Sequence, residues 1–421
     1  MKLNDERDFK SLIDWARQGT HSPDEISQLA TYLANSGEKL EWAKEMKIAD
    51  LASTGGPGSL STLLSPIALM SQGYKVVKLA VPGRPAGAID TLGTIPGYRV
   101  ILSTKNIRSI VTKTGFAHFL TDDRFAPIDG KLYAYRRQIN AVAIPMLAAA
   151  SLLAKKLAAG VRIVGLDARI GSHGNFGATS NEARENAINF CVAAKQLDID
   201  AVVFIKNDCG PAQPWIGRGE NLVALAHAVG VYELADSDSW LDRHVADCCE
   251  MARITVGGRQ ATQAVASKTI GWNLTDNLRY ALEQHLEAQG SSMKYFLGRV
   301  FEIMDSSRLT IFSEKSGILT VNLDILRNVL VSAQTQELNT IFGDQAGVLL
   351  LIKPGTLIYK GQPIAIVRHS GTSSYGKLLV NRLAQAFRVV SAEPDPSSIE
   401  NQDLEIIRFK DNEITSEVVY V

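Results

Sequence analysis

Cysteine is scarce in this chain, four among 421 residues, at positions 191, 209, 248 and 249. Their spacing fits neither a zinc site nor a disulfide framework, and the vicinal Cys248-Cys249 pair reads as an inert part of a helix. An excess of charge of one sign is missing as well: Lys+Arg and Asp+Glu are both 44, so the net charge is zero. Without a basic field, neither nucleic acid nor an anionic membrane is expected as a partner. No run of eighteen apolar residues exists, so no membrane span is expected. The opening residues, Met1-Lys-Leu-Asn-Asp-Glu-Arg-Asp8, are charged and do not read as a signal peptide, which makes the cytoplasm the expected location. Internal repeats and low-complexity tracts are absent too. What is present is a globular composition, 46% hydrophobic and 21% charged, in a chain long enough for two or three domains.

Residues 6 to 45 read as helices, with cap and first-turn chemistry at Ser22-Pro-Asp-Glu25. From Ile48 to Asp208 strand-like and helical patterns alternate. The strand-like runs are Lys75–Val81, Arg99–Ser103, Val161–Leu166 and Ala201–Lys206. Glycines such as Gly73 and Gly160 end helices, and Thr179 to Glu182 reads as a capping box opening a helix to Leu197. Such alternation predicts an α/β fold with a mainly parallel sheet. Beyond about Ile311, short β runs punctuated by Gly and Pro predict a β-rich module, within which Tyr375–Val389 reads as one helix.

Two constellations carry chemistry. Ala52 to Thr62, Ala-Ser-Thr-Gly-Gly-Pro-Gly-Ser-Leu-Ser-Thr, holds three glycines and five hydroxyls between an apolar run and a helical segment, Leu60 to Ser71. Glycines can turn backbone amides toward one point, and a following helix adds its positive dipole end. An anion cradle is one reading. A Gly-rich turn without a ligand is the other, because the loop contains no Lys or Arg. Further along, Ser151 and Lys155 stand four residues apart on one helix face, shortly after Arg136. A hydroxyl, an ammonium and a guanidinium suit a flat ligand presenting carbonyl oxygens, such as a pyrimidine; taken alone, Lys155 reads as a solvated residue of an amphipathic helix.

These segments occur in order with others: Gly83-Arg84, Ile95-Pro-Gly-Tyr98, Ala126 to Arg136, Ser151 to Gly160, Leu166 to Ser172, Ala288-Gln-Gly290 and Asp344-Gln-Ala-Gly347. Together they resemble the thymidine phosphorylase and pyrimidine-nucleoside phosphorylase family across nearly the whole chain. The resemblance implies a helical domain (1–47 and 128–160) that holds the base. It also implies an α/β domain (48–127 and 161–310) that holds phosphate, and a C-terminal barrel-sandwich-like β-rich module (311–421). It implies a homodimer and no cofactor. Arg136, with Arg137 as the alternative, and Ser151 and Lys155 correspond to the base-contacting residues, with Phe176 on the substrate side. Ser53, Thr54, Gly55, Gly56, Gly58, Thr62 and Arg84 fall on the phosphate side.

The phosphate side departs from the family. Its Lys-His-Ser-Thr-Gly-Gly-Val-Gly-Asp motif has Leu51, Ala52 and Ser59 at the Lys, His and Asp positions, and its second phosphate loop is contracted, with Pro82 and Ala88 replacing hydroxyl residues. Losing one catalytic donor costs about 10²–10³ in rate, so ordinary phosphorolysis is expected to suffer. His173 is a candidate proton donor and Arg169 a candidate replacement cation. Each has a plain alternative, an idle loop histidine and a salt bridge to Asp167 or Asp208. The helical N-terminal region is short for the family, which sets itself against dimerisation in the family mode. No metal is assigned. The expected function is a pyrimidine-nucleoside phosphorylase-like glycosyltransferase, acting on the N-glycosidic bond of a nucleoside with an eroded phosphate site and an acceptor or substrate that differs. A catalytically inactive nucleoside- or nucleotide-binding homologue and a nucleoside hydrolase are the alternatives.

Overall fold

The structure, a computed structural model, describes all residues except 1–2, 4, 20, 55, 84–86, 172–174, 207–209, 235–238, 258–271, 335–341, 392–402, 411–412 and 421. Helices α1 (Glu6–Ala16) and α2 (Pro23–Ala34) open the chain. Ser22 caps α2 through a reciprocal capping box with Glu25, and Pro23 takes the first helical position. Residues 35–47 then run without regular structure to β1 (Ile48–Ser53). Next come α3 (Ser61–Ser71), β2 (Lys75–Ala80), α4 (Ala88–Leu92), α5 (Thr104–Lys113) and β3 (Phe116–Leu120). A long crossover, α6 (Pro127–Gln138) and α7 (Pro145–Ala159), leads to β4 (Ile163–Ala168), and α8 (Ser180–Gln196) leads to β5 (Asp200–Lys206). Gly160 ends α7 in the left-handed conformation at φ +69°, where a Cβ would meet Leu40 O at 2.3 Å.

Strands β1 to β5 are parallel in the order 5-4-1-2-3. The chain therefore winds one way from β1 through β2 to β3 and the other way from β4 to β5. A crevice opens at the carboxyl ends of the strands where such an order reverses, here between β1 and β4. One face of the sheet shares an apolar cluster with α1, α2, α7 and α8; Leu12, Leu33 and Leu153 belong to the same core as Val77 and Val203.

Below the other face lie β6 (Trp215–Ile216), α9 (Arg218–Ala228), α10 (Ser239–Gly257), α11 (Trp272–Ala288) and α12 (Met293–Met304). The final region comprises β7 (Arg308–Phe312), β8 (Gly317–Val321), α13 (Leu323–Gln334), β9 (Ala346–Leu350), β10 (Leu357–Ile358), β11 (Pro363–His369), α14 (Ser373–Ala384) and β12 (Phe387–Val390). These strands form two antiparallel sheets, β10-β8-β12 and β6-β9-β11-β7. The last two strands, β13 (Asp403–Lys410) and β14 (Glu413–Tyr420), leave that region; β13 pairs antiparallel with β5 and β14 with β13, extending the main sheet to seven strands. The expected 311–421 module thus contributes its last strands to the α/β core. Among the described residues no helix is long and apolar enough to cross a membrane.

A buried ion network joins the C-terminal sheets to the α/β part. Arg368 on β11 donates to both carboxylate oxygens of Glu220 on α9 (2.6 and 2.9 Å) and to Asp344 Oδ1 (2.6 Å), while Arg299 on α12 donates to Asp344 Oδ2 (2.6 Å). Burial opposes the charge on Arg368, but Asp344 and Glu220 outweigh it and hold the guanidinium protonated. Gly347 is obligatory here, because a Cβ would lie 1.6 Å from Glu220 Oε2. Removing one partner of such a network leaves buried charge uncompensated, at about 3–5 kcal/mol. Arg368→Met is therefore expected to lower the unfolding free energy by an amount of that order, read as a lower urea midpoint, and an unchanged midpoint would contradict this assignment.

Candidate functional site

A cavity of about 540 Å³ opens at the carboxyl ends of β1 and β2, walled by the 52–62 loop, α7, the end of α6 and one face of α13. Its floor is built from three charged residues on three elements. Asp50, fully buried in β1, accepts from Lys78 of β2 (2.9 Å to Oδ1) and, through Oδ2, from Lys156 of α7. Lys78 also donates to Leu51 O at 2.6 Å. Two ammoniums share one carboxylate, and both line the cavity. Burial pushes the Lys78 ammonium down to about 8; Asp50 opposes this and Lys156 reinforces it. Burial alone would raise Asp50, yet Lys156 and Lys78 hold it below the usual carboxylate range.

Ser151 and Lys155 come together as their spacing implies. Lys155 Nζ donates to Ser151 Oγ (2.6 Å) and to Asp129 Oδ2 of α6 (2.8 Å). Both residues border a second cavity of about 20 Å³, room for roughly one water, which shares Ser53, Tyr133, Leu152, Lys155 and Asn175 with the large one. Arg136 reaches the small cavity, but its guanidinium donates to Ala141 O, Val142 O and Leu147 O and so ties down the α6–α7 connection. Asn175, only 9% exposed, lines both cavities with its Oδ1 unpartnered. Phe176 lies elsewhere: its ring is fully buried against Phe190 and lines neither cavity.

The glycine loop turns much of its polarity inward. Ser53, Thr54, Gly56 and Thr62 line the large cavity, with Gly56 at φ +96°. However, the hydroxyls of Ser61 (2.6 Å), Ser53 (3.4 Å) and Ser59 (3.4 Å) all donate to Asp167 Oδ2 at the end of β4. The amide of Thr54 donates to Asp167 O, that of Ser61 to Ser59 Oγ, and that of Leu60 to His244 Nε2 at 2.8 Å. Accepting at Nε2 requires neutral imidazole, and burial, helped by Lys206 and Arg169, lowers the His244 pKa well below its usual value. Gly58 packs against Pro211 and accepts from Ala212 and Gln213 rather than lining the cavity. Arg169 points below the loop, its NH2 donating to Gly210 O and its NH1 3.9 Å from Asp167, and it does not line the cavity. Leu51, at the family's Lys position, is fully buried. Gly55, Arg84 and His173 lie outside the described residues.

Sequence reasoning missed Asp50, Lys78, Lys156 and Asn175. Asp50 and Lys78 left a signal: Asp50 is the one charge of β1, Lys78 interrupts the apolar run that follows Lys75 in β2, and the two have opposite signs. Nothing in the spacing indicates that the helix residue Lys156 shares Asp50 with Lys78.

Fold and site together define an α/β protein with a cation-floored cleft at the carboxyl ends of β1 and β2. No family model matches the chain. It is 26% identical over 394 residues to the thymidine phosphorylase of Sinorhizobium fredii, covering 88% of this chain and 85% of that protein. With the thymidine phosphorylase of Homo sapiens the identity is 34% over 275 residues, 63% of this chain and 55% of that one. Among solved structures, the anthranilate phosphoribosyltransferase of Thermus thermophilus matches at 13% identity and a TM-score of 0.44, covering 71% of this chain and 96% of that one. So low a score carries no argument. The chain is similar over most of its length to curated thymidine phosphorylases.

Lys78 makes a prediction about stability. Its folded pKa, about 8, is below the ordinary 10.5, so between these values the unfolded chain binds more protons and this group makes stability rise with pH. Lys78→Met should remove a rise on the order of 2–3 kcal/mol between pH 8 and 10.5, read as urea midpoints of the two proteins against pH. Parallel curves would show that Lys78 titrates normally.

Proposed function

We propose that the chain is a nucleoside phosphorylase-like pentosyltransferase, with the base on the Ser151–Lys155 side of the cleft and an oxyanion on the Lys78–Lys156 side. The observation that carries this reading is the cavity itself: two ammoniums sharing one carboxylate line the same space as Lys155, which bonds Ser151 in the adjoining small cavity. In such a reaction a phosphate oxygen bonds to the anomeric carbon as the N-glycosidic bond breaks. The bond's electron pair passes to the base, which takes up a proton, leaving a free base and a pentose 1-phosphate. Negative charge on the departing base spreads onto its carbonyl oxygens, where the Lys155 ammonium and the Ser151 hydroxyl stabilise it. Asn175 Oδ1 supplies an acceptor for a base N–H. The acceptor anion is clamped from β2 and α7, because the loop donors on Ser53, Ser59 and Ser61 are turned to Asp167. A homodimer and a cytoplasmic location belong to the same reading, the homodimer resting on the resemblance alone.

The inward-facing loop also favours a second reading, a relative that binds nucleosides without turnover. Incubation with uridine, thymidine and deoxyuridine, with and without inorganic phosphate, separates the two. Phosphate-dependent release of base is the expected result. It should fall about 10²-fold or more in Lys155→Met, the loss typical of one catalytic donor, and Lys78→Met should raise the KM for phosphate at least tenfold. Release without phosphate would indicate a hydrolase. Saturable nucleoside binding with no release would establish the second reading.

A further inference from the structure

We propose that the pentosyl substrate itself carries a phosphate group, held at the rim of the cleft by Arg137 and Arg327; this rests on the pentosyltransferase reading above. Five cationic side chains line the large cavity, Lys78, Arg137, Lys155, Lys156 and Arg327, and among the described residues no Asp or Glu lines it. The chain as a whole is neutral, with 44 charges of each sign, so this excess belongs to the cleft rather than to the composition.

The cations form two groups. Those of the floor have carboxylates behind them: Asp50 serves Lys78 and Lys156, and Asp129 serves Lys155. That group carries one more positive charge than negative, which a single oxyanion answers. The rim group comprises Arg137 and Arg327. Arg137, at the end of α6, donates to Pro82 O (3.4 Å) and lies against Gly83, where a Cβ would be 2.1 Å from its NH1. Among the described residues no carboxylate pairs with it. Arg327 comes from α13, whose Leu326 and Leu330 are buried in the core of the C-terminal sheets while Arg327 and Ser332 line the cleft.

Inorganic phosphate on the floor and a neutral nucleoside leave Arg137 without an anion. A phosphate on the sugar supplies one in the space that Arg327 also lines, and the planar forks of two arginines match its oxygens. The volume, about 540 Å³, is within the usual 300–1,000 Å³ of small-molecule sites and leaves room for the added group. α13 thereby acquires a role in the cleft that its position in the C-terminal region does not announce.

Calorimetric titration in phosphate-free buffer tests this with uridine and thymidine, their 5′-monophosphates, and inorganic pyrophosphate added to each nucleoside. The monophosphates are expected to bind at least tenfold tighter than the nucleosides, and the double variant Arg137→Met, Arg327→Met should bring that ratio toward one. If the nucleosides bind and the monophosphates bind no tighter, this assignment falls while the pentosyltransferase reading stands. Tight binding of pyrophosphate without a preference for the monophosphates would move the second phosphate to the co-reactant and equally overturn it. If neither nucleosides nor monophosphates bind, the reading beneath it falls as well.

Discussion

Asp50 is the carboxylate around which the cleft is organised. It sits on the central strand β1 and accepts from Lys78 of the neighbouring strand and from Lys156 of the helix laid across the sheet. Burying a carboxylate costs several kcal/mol unless its oxygens are answered. The pair of ammoniums answers them and in doing so fixes α7 against β1 and β2. Everything else in the cleft follows from that fixation. Ser151 and Lys155 are set in position because they share α7 with Lys156. The floor carries two ammoniums against one carboxylate, in surroundings whose burial depresses the Lys78 ammonium.

The glycine loop plays a different part from the one its composition suggests. A loop with five hydroxyls and three glycines looks like a phosphate cradle. Its serines instead gather on Asp167, and the amides of Thr54, Leu60 and Ser61 find acceptors within the protein. A carboxylate beneath the loop disfavours a dianion there, so the loop serves as a shaped wall. Leu51, where the resemblance places a Lys, is buried and lines neither cavity, while Lys78 brings a cation to the large cavity from the adjacent strand. The sequence suggests a kept base pocket beside a stripped anion pocket, whereas the cleft itself is lined by Lys78 and Lys156.

Local chemistry was legible and long-range pairing was not. Ser22 with Glu25, Thr179 and Gly160 begin or end helices through contacts spanning a few residues, and all three were readable. Arg99–Ser103 has a strand-like composition, yet it forms no strand: Arg99 bonds to the end of α11 through Gln289 O and Ala288 O. Tyr375–Val389 reads as one helix, but the helix stops at Ala384 because Phe387–Val390 pairs with β8, over sixty residues earlier. Strands β13 and β14 joined the main sheet for the same kind of reason, a partner distant in sequence. In the site, Ser151 and Lys155 were found because helix periodicity makes them neighbours. Asp50, Lys78 and Lys156 meet only after three elements have packed.

The account stands on an oxyanion resting against the two ammoniums that share Asp50. Diffraction from crystals grown with selenate, a tetrahedral dianion with a strong anomalous signal, measures this directly. The account predicts an anomalous peak with oxygens at about 2.7–3.2 Å from Nζ of Lys78 and of Lys156. A peak seated on the backbone of the 55–58 loop, clear of both lysines, would contradict it.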